Sequence, residues 1–250
     1  KSAHQTIEEE YATYAGIDRL AAELETIAAE AQHDRFVDLL RRSGLSQAEH
    51  SAVTESTAFG PLAAALRRAE AKYHDLERLL PRVVARHGLA DADDVAAVLT
   101  YRIDKSASAA PRDKRGLKPR LIAGLIPEPL GPMSDENREA IGERKHLIVA
   151  RALALAEEAA EKQPAWLRRL GRPPVDPQAR DSWIANVSTV AAYRDRYGII
   201  SGLPVGSRST NAAQENDRRR ALQSVRAAAN LDRREGRART VVESSAISGP

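Results

Sequence analysis

Apolar residues recur at intervals of three and four along the N-terminal part of the chain, which is the pattern of one helix face. Thr6 and Glu9 fit a capping box at the start of this pattern, and Ser43 followed by Gly44 is a stop signal. The pattern predicts one long helix between these signals, although a break near residues 32–34 fits it equally well. The apolar positions of its first part are Ile7, Tyr11, Tyr14, Ile17, Leu20, Leu24 and Ile27.

The next two helices are predicted from their starts. A second capping box at Ser46 and Glu49 opens a short helix that reaches about Ser56. Gly60 and Pro61 then start another, whose apolar positions are Leu62, Leu66, Tyr73, Leu76 and Leu79.

Two further helices complete the N-terminal part. Pro81 stands where a helix can begin, because the first helical position needs no N–H group, and Gly88 is expected to end that helix. The helix that carries Val95, Val98 and Leu99 follows three acidic residues, which the positive end of its dipole favours. These residues are Asp91, Asp93 and Asp94.

Residues 106–120 differ in composition from what precedes them. They are rich in Ser, Ala, Pro and Gly, and five basic residues follow Ala110. Such a segment is typical of an exposed linker. Residues 121–132 are apolar but punctuated by prolines, so we expect a packed irregular segment there.

Three longer helices are predicted in the C-terminal half. Ser134 starts one that extends to about Gln163, and Asp176 caps one that Pro177 opens and Gly198 ends. The last runs over residues 211–234 and is polar and rich in arginine. Residues 241–250 are expected to be frayed or disordered.

The sequence therefore predicts an all-α fold, with two helical subdomains joined by a basic linker and followed by a polar, Arg-rich C-terminal helix and tail. The expected divisions are an acidic helical bundle over 1–105, the linker over 106–120, a second helical subdomain over 121–207 and the Arg-rich segment over 208–250. Alanine, leucine, glutamate and arginine dominate the composition, which favours helix.

The net charge of +3 hides an asymmetry along the chain. Residues 1–110 hold 13 basic and 18 acidic residues, and the remainder holds 25 basic and 17 acidic residues. An excess of positive charge in one half indicates an anionic partner, and ordinary surface charge is the alternative.

Several classes of chemistry find no support in the sequence. It lacks cysteine, and its six histidines are scattered without the spacing of metal ligands. It contains neither a phosphate-binding glycine loop nor an HExxH motif. We therefore expect no catalytic residue, cofactor or metal, and no enzymatic activity of this segment.

The absence of cysteine and of a membrane-spanning apolar run suggests a cytoplasmic protein without membrane insertion. Because the chain begins at Lys1 and its only methionine is Met133, we interpret it as a piece of a longer protein.

The stretch WIANVSTVAAYRDRYGI combines two tyrosines and two arginines near the end of a predicted helix. A tyrosine can attack a DNA phosphate, but such a reaction needs a metal held by clustered histidines. We therefore interpret Tyr193 and Tyr197 as packing residues, and Arg194 and Arg196 as cations near the negative end of the helix dipole.

The segment from Arg208 to Arg239 holds nine arginines and four acidic residues. Its arginines are candidates for phosphate contacts, which would be independent of base sequence and sensitive to salt. Two alternatives are a solvated helix with ion pairs such as Glu215 to Arg219, and a docking or secretion signal read by an acidic partner. The candidate nucleic-acid-binding residues are Arg218, Arg219, Arg220, Arg226, Arg233, Arg234, Arg237 and Arg239.

Several stretches together resemble the C-terminal region of MobF-type conjugative relaxases, the TraA-like proteins of actinobacterial plasmids. The similarity covers about residues 35–205, in the same order along the chain. It rests on RFVDLLRRSGLSQAEHSAV, on GPLAAALRRAEAKYHDLERLLPRVVARHGLADADDVAAVLTYRID, on RLIAGLIPEPLGPM, on PAWLRRLGRPP and on WIANVSTVAAYRDRYGI.

The resemblance implies a role in plasmid DNA transfer. Full-length members of that family nick DNA with an N-terminal tyrosine, unwind it with a central helicase and pass through a type IV secretion channel. None of the nicking or helicase motifs occurs here, so no catalytic residue is carried over. We expect an accessory and recruitment module with auxiliary non-specific DNA binding, whose partners are single-stranded or plasmid DNA and the coupling protein or other relaxase domains. The alternative is a structural or type IV secretion docking module without direct DNA contact.

Overall fold

The computed structural model describes residues 16–86, 88–89, 92–209 and 211–247, with the backbone alone over 236–247. The described chain is built of helices, which confirms the predicted all-α class. The helices are α1 (Ile17–Arg41), α2 (Gln47–Glu55), α3 (Phe59–Ala71), α4 (Leu76–Val84), α5 (Val95–Ser106), α6 (Asp135–Lys162), α7 (Pro177–Arg196) and α8 (Ala212–Ile247). Short 3-10 turns occur at Arg112–Lys114 and Ala165–Leu170. No described helix has the length and apolar character needed to cross a bilayer.

Several predicted helix starts are confirmed at the level of single hydrogen bonds. The Ser46 hydroxyl accepts a hydrogen bond from the Glu49 N–H, and the Glu49 carboxylate accepts one from the Ser46 N–H. Asp94 and Asp176 cap α5 and α7 through bonds from backbone N–H groups three residues later. These polar side chains fix where each helix begins, because they satisfy N–H groups that have no partner inside the helix.

The long first helix is continuous through residues 32–34, so the break considered there does not occur. The capping box at Thr6 and Glu9 lies outside the described residues, as does Asp91.

The helix predicted from Gly60 through Leu79 is wrong, because two helices occupy that stretch. α3 ends at Ala71, and Tyr73 has φ of 68°, a left-handed conformation that no helix interior accommodates. Asp75 then accepts hydrogen bonds from the Glu77 and Arg78 N–H groups and starts α4. Pro81 consequently lies inside α4 instead of opening a helix, and α4 ends at Val84, before Gly88.

The chain forms two compact units. The N-terminal unit consists of Glu23–Leu121 and Pro127–Glu143. The C-terminal unit consists of the described residues before Glu23, of Ile122–Ile126 and of the described residues from Arg144 onward. Residues 106–120, expected to link two subdomains, belong to the N-terminal unit.

The core of the N-terminal unit is formed by one face each of α1 to α5. Alanines alternate with larger aliphatic side chains in it, which lets the helices approach closely. Its most completely buried large side chains are Phe36, Leu40, Leu62, Leu66, Leu80, Leu99 and Ile103.

The core of the C-terminal unit is centred on Trp183, whose ring is completely buried and whose indole N–H donates to the Leu170 carbonyl at 3.0 Å. Side chains from α6, the Ala165–Leu170 turn, α7 and α8 surround it. They include Ala156, Trp166, Leu167, Val187, Val190 and Ala228.

A small hairpin lies in the proline-punctuated segment that was expected to be irregular. Its strands β1 (Leu121–Ile122) and β2 (Ile126–Pro127) have two residues each, and the turn places Ala123 and Gly124 at positive φ. A Cβ on Gly124 would lie 2.2 Å from the Thr189 hydroxyl oxygen, so only glycine fits at this contact between the turn and α7.

Candidate nucleic-acid interface

The Arg-rich segment forms α8, which begins at a polar cap. The Asn211 side-chain oxygen accepts hydrogen bonds from the N–H groups of Ala213 at 2.8 Å and Gln214 at 3.3 Å. Alanines and arginines then continue the helix, because both have high helix propensity. α8 extends to Ile247, beyond the end predicted at Arg234, and Ser248 to Pro250 lie outside the described residues.

One face of α8 packs against α7 and the Ala165–Leu170 turn. Ala221 and Ala228 on this face are completely buried, and Val225 and Leu231 pack against the surrounding core. Small side chains at the contact bring the two helix backbones close together. α8 is therefore a structural helix of the C-terminal unit, and its orientation about its own axis is fixed.

Asp217 occupies the same inner face and is 6% exposed. Its carboxylate accepts a hydrogen bond from the Tyr197 hydroxyl at 2.8 Å and forms ion pairs with Arg196 and Arg220, each at 3.2 Å. Arg220 also donates to the Leu125 carbonyl. Two arginines and a hydroxyl thus satisfy a nearly buried carboxylate, as a buried charge requires.

Two of the candidate arginines are therefore held inside the fold. The side chain of Arg220 is 14% exposed and that of Arg218 is 15% exposed, with a Glu215 carboxylate oxygen 3.6 Å from Arg218. The Arg220 guanidinium donates to protein acceptors, and the Arg218 guanidinium is largely shielded from solvent, with an Nε that has no hydrogen-bond partner among the described residues.

The opposite face of α8 carries an arginine row, which we define as Arg219, Arg226 and Arg233. All three are exposed, and they repeat every seven residues. Seven residues are nearly two full turns, so the three Cα atoms stand on one line about 10.5 Å apart. Gln223 and Asn230, also exposed, lie between them.

Between Arg219 and Arg233 this exposed face of α8 carries positive charge and no acidic residue. Asp217, Asp232 and Glu235 are at least partly buried on other faces. Glu215 lies one turn before Arg219 on the same side of the helix, where it is partly buried and 3.6 Å from Arg218. Glu235 accepts a hydrogen bond from the Val175 N–H at 2.8 Å, so its carboxylate points toward the protein. Arg234 is exposed beside the row, while the side chains of Arg237 and Arg239 lie outside the described part.

Comparison with known proteins leaves the chain without an assigned relative. No family model, no curated protein and no solved structure matches it.

The tyrosines and arginines near the end of α7 have structural surroundings. The Tyr193 side chain is completely buried and its ring lies 5.0 Å from that of Tyr197. Burial raises the pKa of the Tyr193 hydroxyl above the ordinary value of a tyrosine, because it disfavours the phenolate form. Arg194 donates to the carbonyls of Ser201, Leu203 and Pro204 and lies 5.0 Å over the Trp166 ring.

No group of three or more His, Cys, Asp or Glu side chains capable of holding a metal ion occurs among the described residues. What the geometry does assemble is a fixed, positively charged helix face. The sequence contained the signal for it, namely the seven-residue repeat of Arg219, Arg226 and Arg233, but the repeat alone does not tell which face is exposed.

Proposed function

We propose that this chain is a helical accessory module that binds nucleic acid through its phosphate backbone, within a conjugative relaxase of the type that its sequence resembles. The observation that carries the proposal is the exposed arginine row of α8, which no described carboxylate interrupts. Its partners in this role are single-stranded or plasmid DNA and, by way of recruitment, the coupling protein or other relaxase domains. The role is one of binding rather than catalysis.

The chemistry of the row fits phosphate better than it fits a base. A guanidinium group presents a planar set of N–H donors that matches two phosphate oxygens. No aromatic side chain occurs on the described part of α8, so bases find no stacking surface there. We therefore expect binding that is independent of base sequence and weakens steeply with salt.

The fixed orientation of α8 also supports phosphate binding by the arginine row. Because Ala221, Ala228 and Asp217 hold the opposite face in the core, the arginine row remains on the surface without any conformational change. A rigid row loses less conformational entropy on binding than a flexible basic tail does.

The test is fluorescence anisotropy of a labelled oligothymidine titrated with the protein over a range of salt concentrations. The variant is Arg219→Gln, Arg226→Gln and Arg233→Gln combined. The matched control is Arg168→Gln, Arg169→Gln and Arg180→Gln, which removes three exposed arginines of the same unit that lie outside α8.

The row variant is expected to bind about tenfold more weakly at low salt. The slope of log K against log salt should become less steep by about 2, since each contact to a single strand contributes about −0.7. The control should keep the wild-type slope. Equal binding by wild type and row variant would reject the proposal. It would leave the alternative of a structural or type IV secretion docking module without direct DNA contact.

A further inference from the structure

A second positively charged surface lies in the N-terminal unit, although that half of the sequence carries a net negative charge. It is a groove of about 1010 Å³ between α4 and residues 106–114. We call it the α4 groove. The net negative charge of residues 1–110 gives no sign of the α4 groove. Most of the acidic residues responsible for that charge lie outside the groove lining.

The far wall of the α4 groove is held in place by side chains from the turn between α3 and α4. Lys72 donates to the carbonyls of Ala107 at 2.9 Å and Ser108 at 3.0 Å. A ring nitrogen of His74 lies 2.9 Å from the Ala109 carbonyl oxygen. Residues 106–114 are thus fixed beside α4, and the groove is a formed feature of this unit.

The near wall carries three arginines on one face of α4 and the turn that follows it. Arg78, Arg82 and Arg86 are spaced by four residues and are all exposed. Four residues of helix rise about 6 Å, so the three form a line of positive charge rather than a single cluster. Their common face is exposed because Leu76, Leu79, Leu80 and Val83 occupy the buried face.

Arg112 and Lys114 add two exposed cations from the far wall. The three carboxylates of the lining already have partners. Asp75 caps α4 and lies 3.3 Å from Arg78, Glu77 lies 3.5 Å from Arg42, and Asp113 lies 3.6 Å from Lys114.

Three cations of the groove therefore remain without a carboxylate partner among the described residues. Arg82 donates to the Arg78 carbonyl at 2.8 Å, Arg86 donates to the Ser106 hydroxyl at 3.3 Å, and Arg112 pairs with no described acid. Positive charge lining a cleft produces a stronger potential than the same charge on a flat surface.

Tyr73 also lines the α4 groove. Its left-handed backbone conformation is unusual for a bulky residue, and its hydroxyl donates to the Lys118 carbonyl at 2.9 Å. The Arg120 guanidinium lies 4.9 Å over the ring. Aromatic rings beside a line of cations are the combination that single-stranded nucleic acid uses.

We infer that the α4 groove binds a single nucleic-acid strand, with the line of arginines on its phosphates and Tyr73 beside its bases. The inference builds on the proposed function, since the same class of ligand occupies both surfaces, but its evidence lies in other residues. A line of guanidinium groups together with an aromatic ring favours a nucleic-acid strand over an acidic polypeptide, which has no planar bases to stack.

The test uses the full chain and the same labelled oligothymidine. The groove variant is Arg82→Gln, Arg86→Gln and Arg112→Gln combined. The matched control is Arg41→Gln, Lys105→Gln and Arg138→Gln, three exposed cations of the same unit that do not line the groove. Circular dichroism verifies that each variant is folded.

The slope of log K against log salt should become less steep by about 2 in the groove variant, as the loss of three phosphate contacts requires, while the control leaves the slope unchanged. The row variant of α8 is measured beside it, so the two surfaces are judged separately. Loss of binding in the groove variant alone would support the groove and reject the arginine row.

Wild-type binding by the groove variant would overturn the inference, and so would an equal loss in the control. A third arm uses unlabelled polyglutamate as competitor. Displacement of the oligothymidine by polyglutamate at equal charge concentration would overturn the nucleic-acid assignment in favour of an acidic polypeptide.

Discussion

The hydroxyl of Tyr197 donates a hydrogen bond of 2.8 Å to the carboxylate of Asp217, and this contact joins the end of α7 to the first turns of α8. A tyrosine from a segment that raised the question of DNA chemistry therefore has a structural role here. We call this contact between Tyr197 and Asp217 the α7–α8 joint. It also explains how a helix as polar as α8 is held to the rest of its unit. The exposed arginine row exists because this inner face is fixed.

Replacing Asp217 is expected to destabilise the protein strongly. Asp217→Ala leaves Arg196 and Arg220 without their shared carboxylate, and removing one partner of a buried ion pair costs about 3 kcal/mol of unfolding free energy. Urea denaturation monitored by circular dichroism measures the unfolding free energy of the variant and of the wild type. Glu157→Ala, at an exposed position of α6, is the control and should change stability by less than about 0.5 kcal/mol. A similar small effect of both substitutions would contradict the joint described above.

Two glycine substitutions are expected to act in opposite directions. Gly171 has φ of 77° and ψ of −176°, and a Cβ there would lie 2.7 Å from the Cβ of Asp232. Gly171→Ala should therefore cost at least about 1–3 kcal/mol. Gly142→Ala, inside α6 and with open space around the new methyl group, should stabilise by about 1 kcal/mol. The melting temperatures of the two variants should fall on opposite sides of the wild-type value.

Neighbouring arginines of α3 are expected to respond differently to the same replacement. Arg67 is 8% exposed, burial lowers its pKa, and its Nη1 has no hydrogen-bond partner among the described residues. Arg67→Met should raise the unfolding free energy by about 1 kcal/mol, because a buried charge is replaced by an apolar side chain of similar length.

Arg68 is the matched comparison, since its guanidinium bonds both carboxylate oxygens of Asp104 at 2.9–3.1 Å. Arg68→Met should lower the unfolding free energy by about 1 kcal/mol. Chemical denaturation measures the unfolding free energy of both variants. Destabilisation by Arg67→Met would show that the buried charge of Arg67 stabilises the fold.

Tyr193 is expected to make stability fall at alkaline pH. Burial raises the pKa of its hydroxyl in the folded protein, so the folded state holds the proton more tightly than the unfolded state. The stabilisation from this difference is complete below the unfolded pKa of about 10 and is lost as pH rises through the folded pKa.

The variant Tyr193→Phe should consequently lose less stability than the wild type between about pH 9 and pH 11. Tyr101→Phe, at a side chain that is 65% exposed, should follow the wild-type pH profile. Parallel profiles for all three proteins in urea denaturation would show that Tyr193 ionises without cost in the fold.

The local signals in the sequence predicted much of the secondary structure. Ser46 and Asp176 were assigned as caps because a short polar side chain before an apolar period satisfies free N–H groups, whatever the rest of the fold does. The acidic residues that include Asp94 marked the start of α5 through their interaction with the helix dipole. The failure between α3 and α4 has a local cause as well. The apolar period continues through Tyr73, so it concealed the left-handed turn, whereas Asp75 in front of Leu76 was an available sign of a new helix start.

The sequence by itself determined that the chain folds into helices, where most of them begin, and that Arg219, Arg226 and Arg233 share one side of a helix. Only the tertiary structure decided which arginines face solvent, because a period of 3.6 residues relates positions to one another and not to a partner surface. Burial of Ala221 and Ala228 turns Arg220 inward and Arg226 outward. The α4 groove depends in the same way on residues 106–114 lying beside α4, a contact between segments far apart in sequence that no local pattern encodes.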